Sequence, residues 1–331
     1  MAYIYKKTVG DKEYYYLRAS ERKGTRIVAK DIAYLGSSLD EVRIALKKIP
    51  QSTLRKAHKT IQRFLESNTY LENAKALKIK TSPFIDKSVS DEIEACKLHW
   101  QHTIRQRDKR TQQEFIKNFA IDFAFNTTSI EGNTITMKQV QLLLAEDLTP
   151  KGKTLREIYD VQNTERVFLQ VFETTPLLTS ESVIQLHSNL MRNVDSRIGY
   201  RTEDVHVVRA KFESTPAPYV KTDMDLLLKW CQKNGASIHP FALACIIHHK
   251  FEKIHPFFDG NGRAGRMLLN TILLQNGYPP LIVRKRNRAA YLDALSKADE
   301  SDLTHAKPQD YTALVEFMAT ELIQTYWNSF L

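Results

Sequence analysis

The sequence predicts a mainly α-helical protein with a small β-meander at its N-terminus and one short β-hairpin in its second half. The first 36 residues alternate aromatic with polar side chains, as strands with one covered face do. From Leu39 onward, apolar residues recur every three or four positions, which is the helical period. The second half contains one stretch without that period, between Tyr200 and Tyr219. These three observations define the expected fold class.

The N-terminal meander is predicted from three strand-like segments, Ala2–Val9, Tyr14–Ala19 and Thr25–Tyr34. Turns at Gly10-Asp11 and Arg22-Lys23-Gly24 separate them. Tyrosines stand among basic residues in this region, at positions 3, 5, 14, 15, 16 and 34. Two interpretations are open. The tyrosines are good strand formers that cover a small core, or they form an aromatic and basic surface that binds nucleic acid.

Helices are predicted where the apolar period persists, with breaks at Pro50 and at Thr81-Ser82-Pro83. The predicted helical segments are Leu39–Lys48, Ser52–Asn68, a long stretch from Asp86 to Phe125, Leu155–Thr174, Ser180–Asn193, Lys221–Asn234, Pro240–Lys253, Arg263–Asn276, Asn287–Lys297 and Gln309–Phe330. A chain of 331 residues with this many helices can bury a large core.

The composition is that of a soluble protein in a reducing compartment. Hydrophobic residues make up 42% of the chain and charged residues 26%, which is ordinary for a globular protein. The N-terminus has no apolar signal-peptide core, and no apolar run approaches the roughly 18 residues that span a bilayer. Cys96, Cys231 and Cys245 lack disulfide or zinc spacing. We therefore expect a cytoplasmic protein without a membrane partner.

The net charge of +10 is concentrated near the N-terminus. Residues 1–60 contain 14 Lys and Arg against 6 Asp and Glu, whereas the remaining residues contain 34 against 32. This asymmetry predicts a basic module joined to a nearly neutral one. Such a basic face is commonly a solvated surface, and its alternative partners are nucleic acid or an acidic protein patch.

The stretch from His255 to Arg266 carries most of the chemical information. Its glycines precede an apolar, periodic run, so the turn is expected at a helix N-terminus, where free N–H groups and the helix dipole favour phosphate. Arg263 and Arg266 are three residues apart and reach the same side of that terminus. Asp259 supplies oxygen ligands of the kind that Mg²⁺ prefers. The residues predict a metal–nucleotide site with a base, His255, beside it.

The same stretch resembles the signature of the Fic family, HxFx[DE]GNGRxxR, and satisfies every position of it. Similar surroundings include Leu186-His187 and Gly199-Tyr200-Arg201, so the resemblance covers roughly residues 90–331. It implies a Fic-type helical bundle with the signature at 255–266. We divide the chain into a basic, Tyr-rich β module at 1–50, a helical connector at 51–92 and a Fic helical domain at 93–331.

Fic enzymes mostly transfer AMP from ATP to a side-chain hydroxyl of a target protein, and the resemblance implies that reaction here. By resemblance, His255 takes the proton of a Ser, Thr or Tyr hydroxyl, and Asp259 holds Mg²⁺ between the phosphates, with Mn²⁺ as an open alternative. The implied nucleotide-binding residues are Gly260, Asn261, Gly262, Arg263 for the β-phosphate and Arg266 for the γ-phosphate.

Gly262 bears on which group is transferred. A related branch of the family has lysine at this position and transfers phosphate, so the glycine favours AMP transfer in this chain. Other branches use UTP or a CDP-linked donor. The motif does not define the base pocket, and a different nucleotide donor is therefore an open alternative to ATP.

A second motif, Thr127-Thr128-Ser129-Ile130-Glu131-Gly132, resembles the family's inhibitory motif [ST]xxxE[GN]. It occupies residues 127–132, with Thr127 as the hydroxyl position and Glu131 as the glutamate, and matches the branch that has an N-terminal inhibitory helix. If Glu131 pairs with Arg266, that arginine is no longer available to a γ-phosphate. The resemblance therefore implies autoinhibition. In some relatives the same glutamate supports AMP removal, and both directions stay open.

The expected hairpin, at about residues 204–220, corresponds by resemblance to the flap that docks an extended target segment. Its first strand is predicted at Val205, His206, Val207 and Val208. The expected partners are ATP and a target protein with a hydroxyl side chain. A homodimer is an open alternative to a monomer. A nucleic-acid-associated regulator that uses the basic N-terminal module is the alternative function of a different class.

Overall fold

The computed structural model describes residues 2–23, 26–77, 79, 81–205 and 213–331. Its N-terminal part is an antiparallel sheet of three strands in the order β1-β2-β3. The strands are β1 (Ala2–Val9), β2 (Lys12–Lys23) and β3 (Arg26–Gly36). The predicted turn at Gly10-Asp11 is therefore confirmed. The second predicted turn is wrong at Arg22 and Lys23, which pair with β3 as strand residues, while Gly24 and Thr25 lie outside the described residues.

Helices form the rest of the fold. They are α1 (Leu39–Lys47), α2 (Gln51–Arg55), α3 (His58–Ala76), α4 (Lys87–His99), α5 (Lys109–Ile130), α6 (Met137–Glu146), α7 (Leu155–Thr174), α8 (Ser180–Leu190), α9 (Val220–Asn234), α10 (Pro240–Ile254), α11 (Asn261–Gln275), α12 (Arg288–Ser296) and α13 (Pro308–Ser329). Short 3₁₀ turns precede α9 and α12. The expected mainly helical fold with an N-terminal meander is confirmed.

Several helical predictions differ from the structure. The predicted helix Ser52–Asn68 divides into α2 and α3, and α3 continues to Ala76. The long stretch from Asp86 to Phe125 divides, because α4 ends in a π-helical turn at Trp100–Ile104 and Asp108 begins a new helix by accepting the Thr111 N–H at 3.0 Å. The new helix, α5, continues past Phe125 as far as Ile130. α6 was not predicted from the apolar period; it begins with a capping box between Thr136 and Gln139.

The expected flap hairpin falls largely on residues that the structure does not describe. His206, Val207 and Val208 lie outside the described residues, and Val205 is not in a strand. On the return side, Ala217–Tyr219 is a 3₁₀ turn that leads into α9. The end of the expected hairpin is therefore a 3₁₀ turn and not a strand.

Helices α1 and α3 cover one face of the sheet. Ile4, Tyr15, Leu17 and Leu35 are buried in a core that α1 and α3 complete. Side chains of a strand alternate between faces, so their neighbours in sequence point to the opposite side of the sheet. The second half of α3 reaches the main helical core, where Ala74 is buried.

The main core is built around α10 and α11, which pack against each other. Residues Phe241 to Phe251 of α10 are buried without interruption, as are Arg263 to Leu273 of α11. A helix that is buried all round lies at the centre of a large core. The connection between these helices, residues 255–260, is consequently anchored at both ends. Within the described residues, no helix is long and apolar enough to cross a membrane.

Candidate active site

The loop between α10 and α11 is held by its own backbone and by Asn261. His255 ends α10 in the left-handed conformation, with φ 54°, and its N–H donates to the Phe251 carbonyl at 2.9 Å. The Phe257 N–H donates to Asn261 Oδ1 at 2.9 Å, and Asn261 Nδ2 donates to the Phe257 carbonyl at 2.8 Å. Both polar ends of the Asn261 side chain therefore hold the loop, and its backbone N–H remains at the start of α11.

His255 has the tautomer that a general base needs. Its Nδ1 lies 3.2 Å from the Glu252 carbonyl, which can only accept a hydrogen bond, so Nδ1 carries the proton and Nε2 is the accepting nitrogen. Burial lowers the pKa of His255 below its ordinary value, and the nearby positive charge of Arg201 acts in the same direction. The imidazole is therefore neutral at neutral pH.

Arg201 is a structural support of the base that the sequence motif did not single out for a role. Its buried guanidinium donates to the His255 carbonyl at 2.8 Å and to the Glu203 carbonyl at 2.9 Å, and it also bonds the Thr215 carbonyl. Its backbone N–H donates to the Pro256 carbonyl at 2.9 Å. One side chain thus ties the base loop to segments that precede α9. The only signal in sequence was its place in the Gly199-Tyr200-Arg201 run.

Asp259 lies between two arginines. Its Oδ1 accepts the Gly260 N–H at 2.6 Å and lies 3.8 Å from Arg263 NH2, while its Oδ2 is paired with Arg156 of α7. The side chain is 35% exposed. The described residues contain no cluster of three metal-ligating side chains. One accessible carboxylate fits a Mg²⁺ ion that arrives with phosphates, and it does not fit a resident metal site.

The backbone of Asp259 is fixed by a stacked pair. The His187 ring lies 3.6 Å from that of Phe257 with an interplanar angle of 4°, and its Nε2 donates to the Asp259 carbonyl at 2.8 Å. Burial lowers the pKa of His187 to about 4, so this ring stays neutral. The next residue, Gly260, has φ 75°, and a Cβ there would lie 2.6 Å from Met191 Sδ. Only glycine fits this position without strain.

The two arginines of the motif are used differently. Arg263 is buried and paired with Asp160 of α7, and its NH2 lies 3.5 Å from Met191 Sδ. Its Nε is buried without a hydrogen-bond partner among the described residues. Arg263 therefore anchors α11 to α7 as well as lying beside Asp259.

Arg266 connects α11 to the end of α5. Its Nε donates to Thr127 Oγ1 at 2.6 Å, and its NH2 donates to the Thr127 carbonyl at 3.0 Å and to Glu131 Oε1 at 2.6 Å. Burial opposes the charge of Arg266, but the Glu131 carboxylate outweighs this effect and raises the pKa of the arginine. The three residues that the two motifs single out, Thr127, Glu131 and Arg266, are thus brought together.

Glu131 also covers Gly262. A Cβ built on Gly262 would lie 2.2 Å from Glu131 Oε1, so the carboxylate rests directly on the first turn of α11. The backbone next to Glu131 is also fixed, because Arg288 Nε donates to the carbonyl of the preceding residue, Ile130, at 2.8 Å. A carboxylate at a helix N-terminus occupies the position that favours an anion. The first turn of α11 is therefore already filled by a negative charge of this chain.

Glu252 is a further charged group that sequence reasoning did not assign. Its Oε1 is buried without a hydrogen-bond partner among the described residues, and a Cβ on Gly265 would lie 2.4 Å from it. Burial raises the pKa of Glu252 to about 8, although Arg266 opposes the shift. Glu252 is therefore largely protonated at neutral pH, which leaves Glu131 as the carboxylate that pairs with Arg266.

Comparison with known proteins identifies this part of the chain. Residues 177–273 match the Fic/DOC family. The chain is 29% identical over 213 residues to protein adenylyltransferase fic-1 of Caenorhabditis elegans, which covers 62% of this chain and 40% of that protein. It is 31% identical over 189 residues to protein adenylyltransferase Fic of Drosophila ananassae, which covers 54% and 37%. The chain thus spans less than half the length of these curated relatives.

Solved structures share the fold. A Fic domain containing signaling protein from Bacteroides thetaiotaomicron superimposes with a TM-score of 0.65 at 23% identity, covering 72% of this chain and 95% of that one. A Fic family protein from Desulfovibrio desulfuricans superimposes with a TM-score of 0.61 at 26% identity, covering 75% of each chain. With the family match over residues 177–273, the sequence relatives and this shared fold, the chain contains a Fic domain.

Proposed function

We propose that this chain is a protein adenylyltransferase that transfers AMP from ATP to a hydroxyl of a protein side chain and is inhibited by Glu131. The relatives named above are protein adenylyltransferases, which supports AMP transfer as the activity. The observation that carries the proposal is the neutral imidazole of His255 beside the N-terminus of α11, with Asp259 between them.

The chemistry assigns one task to each group. His255 Nε2 accepts the proton of the target hydroxyl as its oxygen attacks the α-phosphate of ATP, and pyrophosphate leaves on the opposite side. The backbone N–H groups of Asn261 and Gly262 bind phosphate oxygens at the helix N-terminus. Arg266 binds the terminal phosphate once it is released from Glu131. Asp259 would hold a Mg²⁺ ion that arrives with ATP, and the ion would supply positive charge for the leaving group.

Inhibition follows from competition for one place. Glu131 pairs with Arg266 at 2.6 Å and covers Gly262, so a phosphate would meet a carboxylate where it needs a cation. ATP bound beside this charge is displaced from the line of attack, and such reactions depend strongly on alignment. The Glu131 side chain is 44% exposed, so it can swing into solvent without disturbing the core.

Intact-mass analysis after incubation with ATP and Mg²⁺ tests the proposal. We expect self-modification by AMP in Glu131→Gly, at least about tenfold less in the wild type, and none in the double variant that also carries His255→Ala. Glu300→Gly is the matched control, because Glu300 is an exposed glutamate in a turn after α12. It should behave like the wild type. Equal modification of Glu131→Gly and wild type would contradict the inhibitory role.

The same assay separates the alternative donors. Replacing ATP by UTP, CTP or GTP gives additions of different mass, and ATP is expected to give the most product. A larger yield with a pyrimidine nucleotide would replace adenylyl transfer by another nucleotidyl transfer. AMP removal is followed with purified AMP-modified Glu131→Gly as the substrate and unmodified wild type as the enzyme. Loss of AMP that requires Glu131 would show that the glutamate supports the reverse reaction.

A further inference from the structure

The N-terminal sheet has an open face that is aromatic and basic. Strand alternation and register place Tyr5, Tyr16 and Tyr34 in one row across the three strands, with Tyr14 beside Lys7 in the next row. The helices α1 and α3 pack on the other face, against Ile4 and Leu17. Nothing in the proposed transfer reaction uses this surface.

Charge on the open face is almost entirely positive. Lys7, Lys12 and Arg18 belong to it, and Lys7 and Lys12 are exposed. Among the described strand residues, the carboxylate that the register places on this face is Asp31, which is already paired with Arg18. Glu13 lies on the helix-covered side, where it pairs with Lys6 at 2.5 Å. The open face therefore carries an excess of positive charge from Lys7 and Lys12, and a polyanion is the complementary partner.

The aromatic rings are arranged for a duplex and not for unpaired bases. Tyr16 and Tyr34 contact each other with ring centroids 5.3 Å apart, and the Arg18 guanidinium lies 3.5 Å above the Tyr5 ring. The Tyr16 and Tyr34 rings meet at 55°, so each covers part of the other, and Arg18 covers one face of Tyr5. Their hydroxyl groups remain as hydrogen-bonding groups for phosphates. Single-strand binding instead needs ring faces on which bases stack.

The size of the sheet agrees with this partner. Three strands span about 10 Å between the outer backbones. The major groove of B-form DNA is roughly 12 Å wide and admits a two-stranded β-ribbon, and β-sheet proteins also bind DNA through their strands. We propose that the open face of the N-terminal sheet, built on Tyr5, Tyr16, Tyr34, Lys7 and Lys12, binds double-stranded DNA in its major groove. This function goes beyond adenylyl transfer and does not depend on it.

Fluorescence anisotropy with the full chain and a labelled 25-base-pair DNA duplex of mixed sequence tests the proposal. We expect salt-dependent binding that the double variant Lys7→Gln/Lys12→Gln weakens at least about tenfold at low salt. Two lost phosphate contacts should also lower the slope of log affinity against log salt by about 2. The matched control is Lys47→Gln/Lys48→Gln, which removes the same charge from the exposed end of α1 on the helical side. It should bind as the wild type does.

Several outcomes would overturn the proposal. They are no binding at low salt, equal loss in both double variants, tighter binding of a single-stranded probe, or equal binding of double-stranded RNA, whose deep and narrow major groove excludes a sheet. Far-UV circular dichroism of both double variants checks that each is folded. Because the assay contains no ATP, a failure to bind DNA would leave the proposed transferase activity untouched.

Discussion

Asp259 is the residue at which two proposed roles meet, since it is paired with Arg156 yet expected to bind Mg²⁺ with ATP. Arg156 must leave Oδ2 before a cation can bind there. The Arg156 side chain is 58% exposed, so its ion pair contributes at most about 1 kcal/mol. We therefore predict that Arg156→Gln lowers the Mg²⁺ concentration needed for half-maximal ATP binding by about two- to fivefold.

Isothermal titration of ATP at a series of Mg²⁺ concentrations, in the Glu131→Gly background, measures this change. Arg110→Gln is the control, because Arg110 is an exposed arginine in a surface ion pair near the start of α5. A higher Mg²⁺ requirement in Arg156→Gln would mean that this arginine helps to bind the phosphates instead of competing with the cation.

The pKa of His255 leads to a second prediction at this scale. Burial lowers it, and a base is active only when neutral, so activity should persist below the ordinary histidine range. We predict that the rate of self-modification of Glu131→Gly starts to fall only below about pH 6.5. Initial rates from pH 5 to 8 check this. A fall that begins at or above that value would mean that the base is more exposed than the structure shows.

At the scale of single helices, the sequence predicted that a helix exists more reliably than it predicted the residues at which the helix begins and ends. The predicted bounds of α7 agree with the structure at both ends. At its start, Thr154 and Glu157 form a capping box that fixes the first residue of the helix. The apolar period failed between α4 and α5, since apolar side chains continue through the π-helical turn at Trp100–Ile104. A break inside a buried apolar run depends on backbone hydrogen bonds and on the Asp108 cap, which the hydrophobic pattern does not record.

The carboxylate of Glu157 leads to a prediction about the stability of a single helix, α7. This carboxylate accepts bonds from the Thr134 hydroxyl and from the N–H groups of Thr154 and Thr134, which lower its pKa to about 2. It thereby caps α7 and fixes the segment after Glu131. We predict that Glu157→Gln lowers the free energy of unfolding by about 1 kcal/mol at pH 7.

The pH dependence of that difference has a defined sign. A lowered carboxyl pKa stabilises the folded state above the ordinary value of about 4.5, and the contribution is lost as the pH falls through about 2. The difference between wild type and Glu157→Gln in urea unfolding should therefore shrink from pH 5 to pH 2. Glu146→Gln, at the exposed end of α6, should show little difference at any pH. A constant difference for Glu157→Gln would exclude a charge effect.

For the whole molecule, the sequence predicted the candidate site residues but not the long-range contacts that hold them in place. His255, Asp259 and Arg266 are close in sequence, so their proximity follows from one turn and one helix. The pairing of Arg266 with Thr127 and Glu131 joins residues more than 130 positions apart, and it was anticipated only through the resemblance. The contacts of Arg156 and Arg201 are long-range and have no local pattern, so single-sequence reasoning could not assign them.

The arrangement of two cores leads to the last prediction. The sheet, α1 and the first half of α3 share one core, and the Fic domain is built on another, with α3 reaching both. Leu17 is fully buried in the first, and Leu273 of α11 in the second. Each change to alanine should cost about 2–5 kcal/mol, but in different parts of the chain. Leu17→Ala should raise hydrogen exchange in β1 to β3 and α1 and leave α10 and α11 protected.

Hydrogen-exchange mass spectrometry of both variants in the Glu131→Gly background measures this independence, and self-modification by AMP reports on the active site in the same samples. Leu17→Ala should retain the activity, because the contacts described above for the His255 loop come from α10, α11 and the Arg201 segment, which lie outside the core of the sheet. Leu273→Ala should lose protection in α11 and with it the activity, since the N-terminus of that helix is the proposed phosphate site. If Leu17→Ala raised exchange in α10 and α11 as well, α3 would be joining the two cores into one cooperative unit. The basic sheet would then be part of the machinery that supports the Fic loop, and not a separate module carried in front of it.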